Sequence, residues 1–406
     1  MIIFTLVCIL CVAANRFLLG KLFNPVTVFV TIWYLLVLLY KLQWSAYLVP
    51  LDNKVYVILD AMVLSFTVLF VVGRMFVLHG RNNMSYAVLG KRQIHQAFFL
   101  WFAFSIVEIA YSRGIPLLWT VTGSGKTYFD FGIPSLHGFL NGFAQVIVCL
   151  AFYYLLTHKK TLDMQLIIAV VLIYFVLIIS RQVIMVSVIE MSVIYILVKR
   201  RVNYIGLVLA GIATILIFGL IGNARTGYDT FLEVSKLDVH FPSFLSGFLW
   251  VYMYLVMTLA NVNNLVLAPE LHIHPMTVFS ELVPSVISNT FTPSSVISDD
   301  REYMGTLLVT RNYNVSGFFR DYYAWTGIGG VMLIAAVYGL IGGITYRLWC
   351  QTPSERNVIL YAISICIIGL SFFFDMMTYL PVVVQYFIVL FMFRGKHTNT
   401  TCESSL

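Results

Sequence analysis

Charge is the first thing that this sequence has little of. Asp, Glu, Lys and Arg make up 11% of its 406 residues, while 60% are hydrophobic; ordinary soluble domains carry roughly 25% charged residues. This composition excludes an ordinary soluble protein. The first apolar run, near 2–15, has no basic residues before it and no clear small-residue cleavage site after it, so we expect a retained helix and not a signal peptide.

Metal-ligand spacing is also missing. Of the six cysteines, four lie in or beside apolar runs, and none is spaced with histidines as in a metal site, so they are predicted to be small core residues with no disulfide framework. No repeat of 20–50 residues is visible, and the two halves show no symmetry. The cysteines are Cys8, Cys11, Cys149, Cys350, Cys366 and Cys402.

A complete phosphate-binding loop is absent as well, although GSGKT at 123–127 resembles the end of one. The full motif, GxxxxGK[ST], needs a glycine where Thr120 stands, and it must follow a strand of a soluble α/β domain. The residues before it, 98–111, form an aromatic-rich apolar run. We therefore expect no nucleotide cofactor.

What the sequence does contain is apolar runs, many of them 17–24 residues long, enough to cross ~30 Å of hydrocarbon as helices. They predict an all-α polytopic membrane protein with about 11 transmembrane helices, within a range of 10–12. The runs lie near 2–15, 25–41, 55–78, 94–111, 136–156, 163–180, 182–198, 204–221, 325–346, 357–374 and 377–393.

A twelfth apolar stretch, 244–267, is predicted to be interfacial or re-entrant because it ends in several asparagines. With this assignment, 15 of the 25 Lys and Arg residues fall on the cytoplasmic side and 10 on the other, as the positive-inside rule requires. The N-terminus is then outside and the C-terminus inside. Basic cytoplasmic loops account for the net charge of +7, so no nucleic-acid partner is expected.

This topology makes 1–406 a single integral membrane domain with two outer segments, a loop at 112–135 and a large segment at 222–324. Arginines on the outer side oppose the charge bias. Arg181 lies in SRQ between two apolar runs and is therefore held at the outer rim of the membrane, either as a functional group or as an anchor to lipid headgroups. Arg225, in GLIGNARTGYD, ends a helix and could hold phosphate oxygens through two hydrogen bonds or serve as an interface anchor.

Other polar residues of the outer segments leave alternatives open. Arg320 could bind substrate or pair with Asp321, and His240 is a possible proton acceptor or a surface histidine. His272 and His274 would share one face of a strand, but they lack a third ligand at zinc spacing. The acidic run 299–302 is either a metal site or a solvated cluster. We expect no metal.

Several stretches together resemble the Wzy-type O-antigen polymerases, the family of oligosaccharide repeat-unit polymerases. IPLLWTVTG at 115–123 followed by YFDFGIPSLHGF at 128–139 is similar to an outer loop of that family. Weaker similarities, in the same order as in the family, are SRQ at 180–182, GNARTG at 222–227, YMYLVMTLANVNNL at 252–265 and YNVSGFFRDYYAWTGIGG at 313–330.

The resemblance implies a GT-C-like helical enzyme of the bacterial inner membrane with its active site on the periplasmic side. It would transfer a growing glycan from undecaprenyl pyrophosphate to an incoming lipid-linked repeat unit, surrounded by membrane lipids and working beside a flippase and a chain-length regulator. The leaving pyrophosphate would be stabilised by arginines, with Arg181 and Arg225 holding it jointly and Arg311 or Arg320 closing over it. The acceptor hydroxyl needs a base or precise orientation, and no residue stands out as that base.

The candidate catalytic residues are Arg181, Arg225, Arg311, Arg320, His240 and Asp229. The candidate substrate-binding residues are Tyr128, His137, Tyr313, Asn314 and Tyr322, in part because aromatic faces stack on sugars. An O-antigen ligase, which uses the same lipid donor, is the nearest alternative. A transporter or flippase is disfavoured, since polar residues concentrate on one side and no repeats are visible. The large outer segment also argues against a purely structural or sensory membrane protein.

Overall fold

The computed structural model describes residues 1–19, 24–76, 85–86, 89–158, 161–199, 204–239, 241–268, 272–283, 288, 290–394 and 397–398. For several residues of 204–226, Arg225 among them, it describes the backbone alone. The contacts divide the chain into two compact units. The first comprises Met1–Gly73, Val202–Gly343 and Ile368–Met376, and the second comprises Arg74–Arg201, Ile344–Ile367 and Met377–Leu406.

Helices build both units, which confirms the predicted all-α class. Strand structure in the described residues amounts to a two-residue antiparallel pairing of Ser85–Tyr86 with His397–Thr398 and a single bridge. The helices are α1 Ile2–Leu19, α2 Pro25–Tyr40, α3 Asn53–Phe76, α4 Lys91–Ser112, α5 Pro116–Thr122, α6 Leu136–Thr157, α7 Leu162–Leu177, α8 Arg181–Lys199, α9 Tyr204–Thr226, α10 Tyr228–Ser235, α11 Ser246–Val266, α12 Pro275–Phe279, α13 Ser294–Thr306, α14 Arg320–Thr326, α15 Ile328–Gln351, α16 Glu355–Gly369 and α17 Leu380–Met392.

Each of the eleven apolar runs contains a helix, and seven helices among the described residues are long and apolar enough to cross a membrane. These seven are Ile2–Leu19, Asn53–Phe76, Lys91–Thr122, Leu136–Thr157, Arg181–Lys199, Ser243–Val266 and Ile328–Gln351. The shorter apolar helices include α2, α7 and α17. These helices support the predicted membrane character of the protein. The prediction of about eleven spans exceeds the seven candidate spans and stays a prediction.

In the first unit, α11 packs against α9 at a very close crossing. A Cβ atom added to Gly247 of α11 would lie 2.0 Å from the backbone oxygen of Ile215 in α9. Small residues permit such close approach of two helices in a membrane protein. Most of α11 is buried, and its length and apolarity qualify it as a candidate span. Its predicted interfacial or re-entrant course stays a prediction.

The run predicted as a helix over 357–374 is shorter in the structure, because α16 ends at Gly369 and the chain leaves the helix there. The segment after it, 370–376, is bound by polar contacts within the first unit. Trp33 donates its indole N–H to Ser371 (3.1 Å), and the hydroxyl of Thr258 donates to the backbone oxygen of Phe372 (3.0 Å). These long-range bonds give the polar groups of a non-helical segment their hydrogen-bond partners. Hydropathy alone does not reveal such partners.

In the second unit, α6 is the central helix and packs against α4, α7, α8 and α17. Its buried face carries polar groups that bond within the unit. Gln145 of α6 accepts a hydrogen bond from Gln385 of α17 (2.8 Å), and the thiol of Cys149 donates to Glu190 of α8 (3.4 Å). Glu190 lies within an apolar helix, and carboxyls in such positions usually bond to groups on neighbouring helices. Cys149 is buried, as are Cys8, Cys11 and Cys366, which confirms these four as small core residues. The prediction is wrong for Cys350, which is exposed near the end of α15, and Cys402 lies outside the described residues.

Candidate functional site

The segment FGIPSLH, residues 131–137, folds back on itself at the start of α6. Gly132 has φ +102°, in the region that glycine adopts without strain. A Cβ atom at Gly132 would also lie 2.8 Å from the imidazole of His137. Phe131 is buried and meets the same ring edge to face, with centroids 5.5 Å apart. Gly132 therefore leaves the space that the His137 ring occupies.

Glu108, near the end of α4, is the group around which this segment closes. Its carboxylate is fully buried and accepts three hydrogen bonds. One oxygen lies 3.0 Å from Nδ1 of His137 and 3.3 Å from the backbone N–H of Ile133, and the other accepts the hydroxyl of Tyr174 in α7 (2.9 Å). A buried carboxylate needs such partners, since a charge without them is costly in an apolar surrounding.

The second ring nitrogen of His137 faces the amide of Asn141, one helical turn further along α6. The distance from Nε2 to Nδ2 is 3.0 Å. The His137 side chain is 31% exposed, whereas that of Glu108 is 0% exposed. The imidazole thus connects a buried carboxylate to the surface of the second unit, and a molecule outside can reach it.

Arg181 lies at this same end of the second unit. Gln145 of α6 donates to the backbone oxygen of Val183 in α8 (3.3 Å), while Cys149 and Glu190 meet further along. The two helices therefore run parallel and begin at the same end. The guanidinium of Arg181 is exposed. Just before it, Ile179 has φ +57°, which is strained for a β-branched residue; this conformation makes the turn that lacks glycine and proline.

The GSGKT segment follows a helix, α5, which Gly123 ends in the left-handed conformation. A short 3₁₀ turn, Tyr128–Asp130, comes next. Lys126 lies over the ring of Trp119, 4.9 Å from its centroid, and its ammonium is 3.4 Å from the backbone oxygen of Ser112. This surrounding differs from the strand-to-helix turn of a phosphate-binding loop. Tyr128 is exposed, as a sugar-stacking residue must be.

The remaining predicted catalytic residues belong to the first unit. Asp229 on α10 and Arg311 are exposed, as is the predicted substrate-binding Asn314. His240 lies outside the described residues, and so does the side chain of Arg225. The joint contact of Arg181 and Arg225 with one pyrophosphate therefore stays a prediction.

Two predicted substrate-binding tyrosines of the first unit are buried. Tyr313 bonds through its hydroxyl to Ser235, and Tyr322 donates to Asp375 (3.1 Å). Asp375 also accepts the hydroxyl of Tyr338 (2.8 Å). In this arrangement the hydroxyls of both tyrosines are bonded within the first unit, and their role in binding substrate stays a prediction.

Arg320 and Asp321 begin α14 and are part of a charged cluster of the first unit. The guanidinium of Arg320 donates to the backbone oxygen of Met304. Burial raises the pKa of Asp321, and the neighbouring Arg320 and Arg301 oppose that rise. Burial likewise raises the pKa of Glu281, which Arg301 opposes and Asp321 reinforces. Arg320 is thus bonded to backbone, with Asp321 as its electrostatic neighbour.

The acidic run at 299–302 belongs to α13, and one of its carboxylates, that of Asp300, binds the start of α12. Asp300 accepts the backbone N–H of His274 (2.8 Å) and the hydroxyl of Thr277 (2.6 Å). His272 and His274 do not lie on a strand; His274 caps the start of α12. Within the part of the chain that the structure describes, no group of three or more His, Cys, Asp or Glu side chains could hold a metal ion.

The reasoning from sequence missed Glu108 and Asp375. Glu108 stands alone in an apolar run, and an intramembrane acid is by itself a signal of function. Asp375 was hidden between two runs predicted to be helices. No protein-family model, curated protein or solved structure matches the chain.

Proposed function

We propose that the chain is a glycosyltransferase of the bacterial inner membrane that polymerises lipid-linked oligosaccharide repeat units. The growing glycan would leave undecaprenyl pyrophosphate and join an incoming unit carried on the same lipid. The observation that supports this best is the end of the second unit, where the FGIPSLH segment bonds to buried Glu108 through Ile133 and His137, and where Arg181 is exposed at the start of α8. The resemblance of that segment to the polymerase family points the same way.

The chemistry of this reaction suits such a site. Breaking the bond between the sugar and the pyrophosphate develops negative charge on the leaving group, which a preorganised guanidinium can stabilise without a nucleotide. Arg181 also opens α8, and the N-terminus of a helix favours anions. Exposed aromatic rings such as that of Tyr128 offer faces for sugars. The site would lie on the periplasmic side, with eleven spans and a GT-C-like arrangement.

The direct test is to incubate the purified protein with an undecaprenyl-pyrophosphate-linked repeat unit in the presence of EDTA. We expect a ladder of lengthening lipid-linked glycans on a gel, because arginines would do the work of a cation. Loss of the ladder in EDTA that magnesium restores would instead support a metal-dependent reaction. Transfer to a lipid A-core acceptor without any ladder would identify a ligase.

The proposed topology predicts the labelling of exposed residues on either side of α11. Thr230→Cys precedes α11 and Asn312→Cys follows it, and both positions are exposed. If α11 re-enters or lies in the interface, both cysteines should react with an impermeant thiol reagent added outside the cell, while His158→Cys should not.

The labelling requires a background without reactive native thiols. Cys350 is exposed, so Cys350→Ser and Cys402→Ser would be introduced first. Labelling of only one of Thr230→Cys and Asn312→Cys would mean that α11 crosses the membrane, and labelling of His158→Cys alone would invert the topology.

A further inference from the structure

The proposed reaction needs a group that removes the proton of the acceptor hydroxyl. We propose that His137 is this general base and that Glu108 is its positioning residue. The inference rests on the proposed function and adds to it the residue that activates the acceptor. The observation behind it is that Glu108 and Asn141 face the two ring nitrogens of the His137 imidazole.

Glu108 determines which nitrogen of His137 can act. Its carboxylate already accepts hydrogen bonds from the hydroxyl of Tyr174 (2.9 Å) and from the backbone N–H of Ile133 (3.3 Å), so it is held as an acceptor. The ring nitrogen facing it at 3.0 Å, Nδ1, must then carry the hydrogen. The neutral imidazole therefore presents its lone pair at Nε2, the nitrogen that does not face the buried acid. A carboxylate also stabilises the imidazolium that forms when Nε2 accepts a proton.

Asn141 can satisfy the ring in both protonation states. With the neutral ring, its Nδ2 donates to Nε2 (3.0 Å), and its buried Oδ1 has no hydrogen-bond partner among the residues that the structure describes. Rotation of the amide would present Oδ1 to Nε2–H of the protonated ring. An unpaired buried oxygen is costly, so its presence beside Nε2 fits an amide that exchanges its donor for its acceptor when the histidine gains a proton.

The acceptor hydroxyl displaces the Asn141 amide from Nε2 and donates its proton there, while its oxygen forms a bond to the anomeric carbon of the donor sugar. The bond from that carbon to the pyrophosphate oxygen breaks, and undecaprenyl pyrophosphate leaves with the electron pair. His137 then releases the proton to solvent, which its 31% exposed side chain can reach.

A second histidine–acid pair in the same unit provides a matched control. His95, near the beginning of α4, lies 3.1 Å from Asp163, which also pairs with Lys91 at 2.8 Å. Glu108 is near the other end of that helix, so the two pairs lie at opposite ends of α4. His95→Gln removes a comparable imidazole away from the proposed site.

The experiment measures polymerisation by purified variants under conditions in which the wild type produces a ladder. His137→Gln should lower the initial rate by about 10²–10⁴-fold, the usual contribution of a general base. Glu108→Gln should lower it by about 10²-fold or more, because an amide no longer enforces the Nδ1–H tautomer. His95→Gln should stay within about 3-fold of the wild-type rate, a difference of under ~1 kcal/mol.

Chemical rescue separates a base from a merely structural residue. In His137→Ala, added imidazoles of similar size should restore the rate in proportion to their basicity, as general-base catalysis requires. Rates in His137→Gln within 3-fold of the wild type, or rescue that does not depend on basicity, would overturn the assignment of the base. Unchanged rates in Glu108→Gln would overturn its positioning role. A wild type that makes no ladder would refute the proposed function itself and this inference with it.

Discussion

Alanine in place of Arg181 is expected to reduce polymerisation strongly, by about 2–4 kcal/mol of transition-state stabilisation, as for a lost oxyanion donor. The guanidinium is exposed at the start of α8, so its removal should leave insertion and protein level unchanged. Arg181→Lys keeps the charge but loses the planar, two-point hydrogen bonding to phosphate oxygens, and it should already impair the reaction. The measurement is the initial rate of the purified variants together with the length of the surface polymer in cells.

Lys126→Ala is the control for Arg181→Ala, since it removes a positive charge from the predicted outer loop of the same unit. Lys126 stacks on Trp119 and contacts the backbone oxygen of Ser112, so its charge is engaged within the loop. We expect chain length to stay nearly intact in this variant. Full-length polymer from Arg181→Ala at a normal protein level would contradict the assignment of Arg181 to the pyrophosphate.

Gly132→Ala is expected to abolish most activity while the protein still folds. The new methyl group would lie 2.8 Å from the His137 ring, closer than Cβ atoms approach other atoms in real structures. The positive φ of Gly132 adds strain of about 1–3 kcal/mol for any other residue. The loop should relieve both by moving the imidazole away from Glu108. Initial rates and thermal unfolding of the purified variant would measure the two consequences.

Gly125→Ala separates the conformational strain from the steric conflict. Gly125 also has a positive φ, +76°, but a Cβ atom there would meet nothing within 4 Å. Its alanine variant should therefore lose some loop stability and keep its activity. Equal activity losses in Gly125→Ala and Gly132→Ala would show that the contact with His137 is unimportant.

Helix positions were largely predictable from the sequence because every membrane span needs a long apolar stretch, and hydropathy detects such stretches directly. The run predicted at 136–156 became α6, Leu136–Thr157, and the run at 182–198 became α8, Arg181–Lys199. The exception is the run at 357–374. Its last five residues, 370–374, are apolar enough for a helix, but they follow the end of α16, and hydrogen bonds from Trp33 and Thr258 hold them in another conformation.

The candidate site was only half predictable. FGIPSLH was recognisable as a motif, and His137 within it and Tyr128 just before it were predicted to bind substrate. The role of Glu108 was not predictable, because His137 lies 29 positions further along the chain, after the whole predicted outer loop. Tyr313 and Tyr322 were chosen in part for their aromatic faces; the structure buries both and bonds their hydroxyls within the first unit, which spacing alone does not encode, and their role in binding substrate stays a prediction.

By itself, the sequence determined that this is an all-helical membrane protein, since scarce charge and long apolar runs leave few other structures whose backbone polar groups are all satisfied in lipid. It also determined that the FGIPSLH loop is exceptional, through its glycine and histidine. Only the tertiary structure decided that His137 meets Glu108, that Arg181 begins a helix at the same end, and which tyrosines are buried. Those facts depend on hydrogen bonds and packing between residues far apart in the chain, and neither hydropathy nor local spacing encodes such distances.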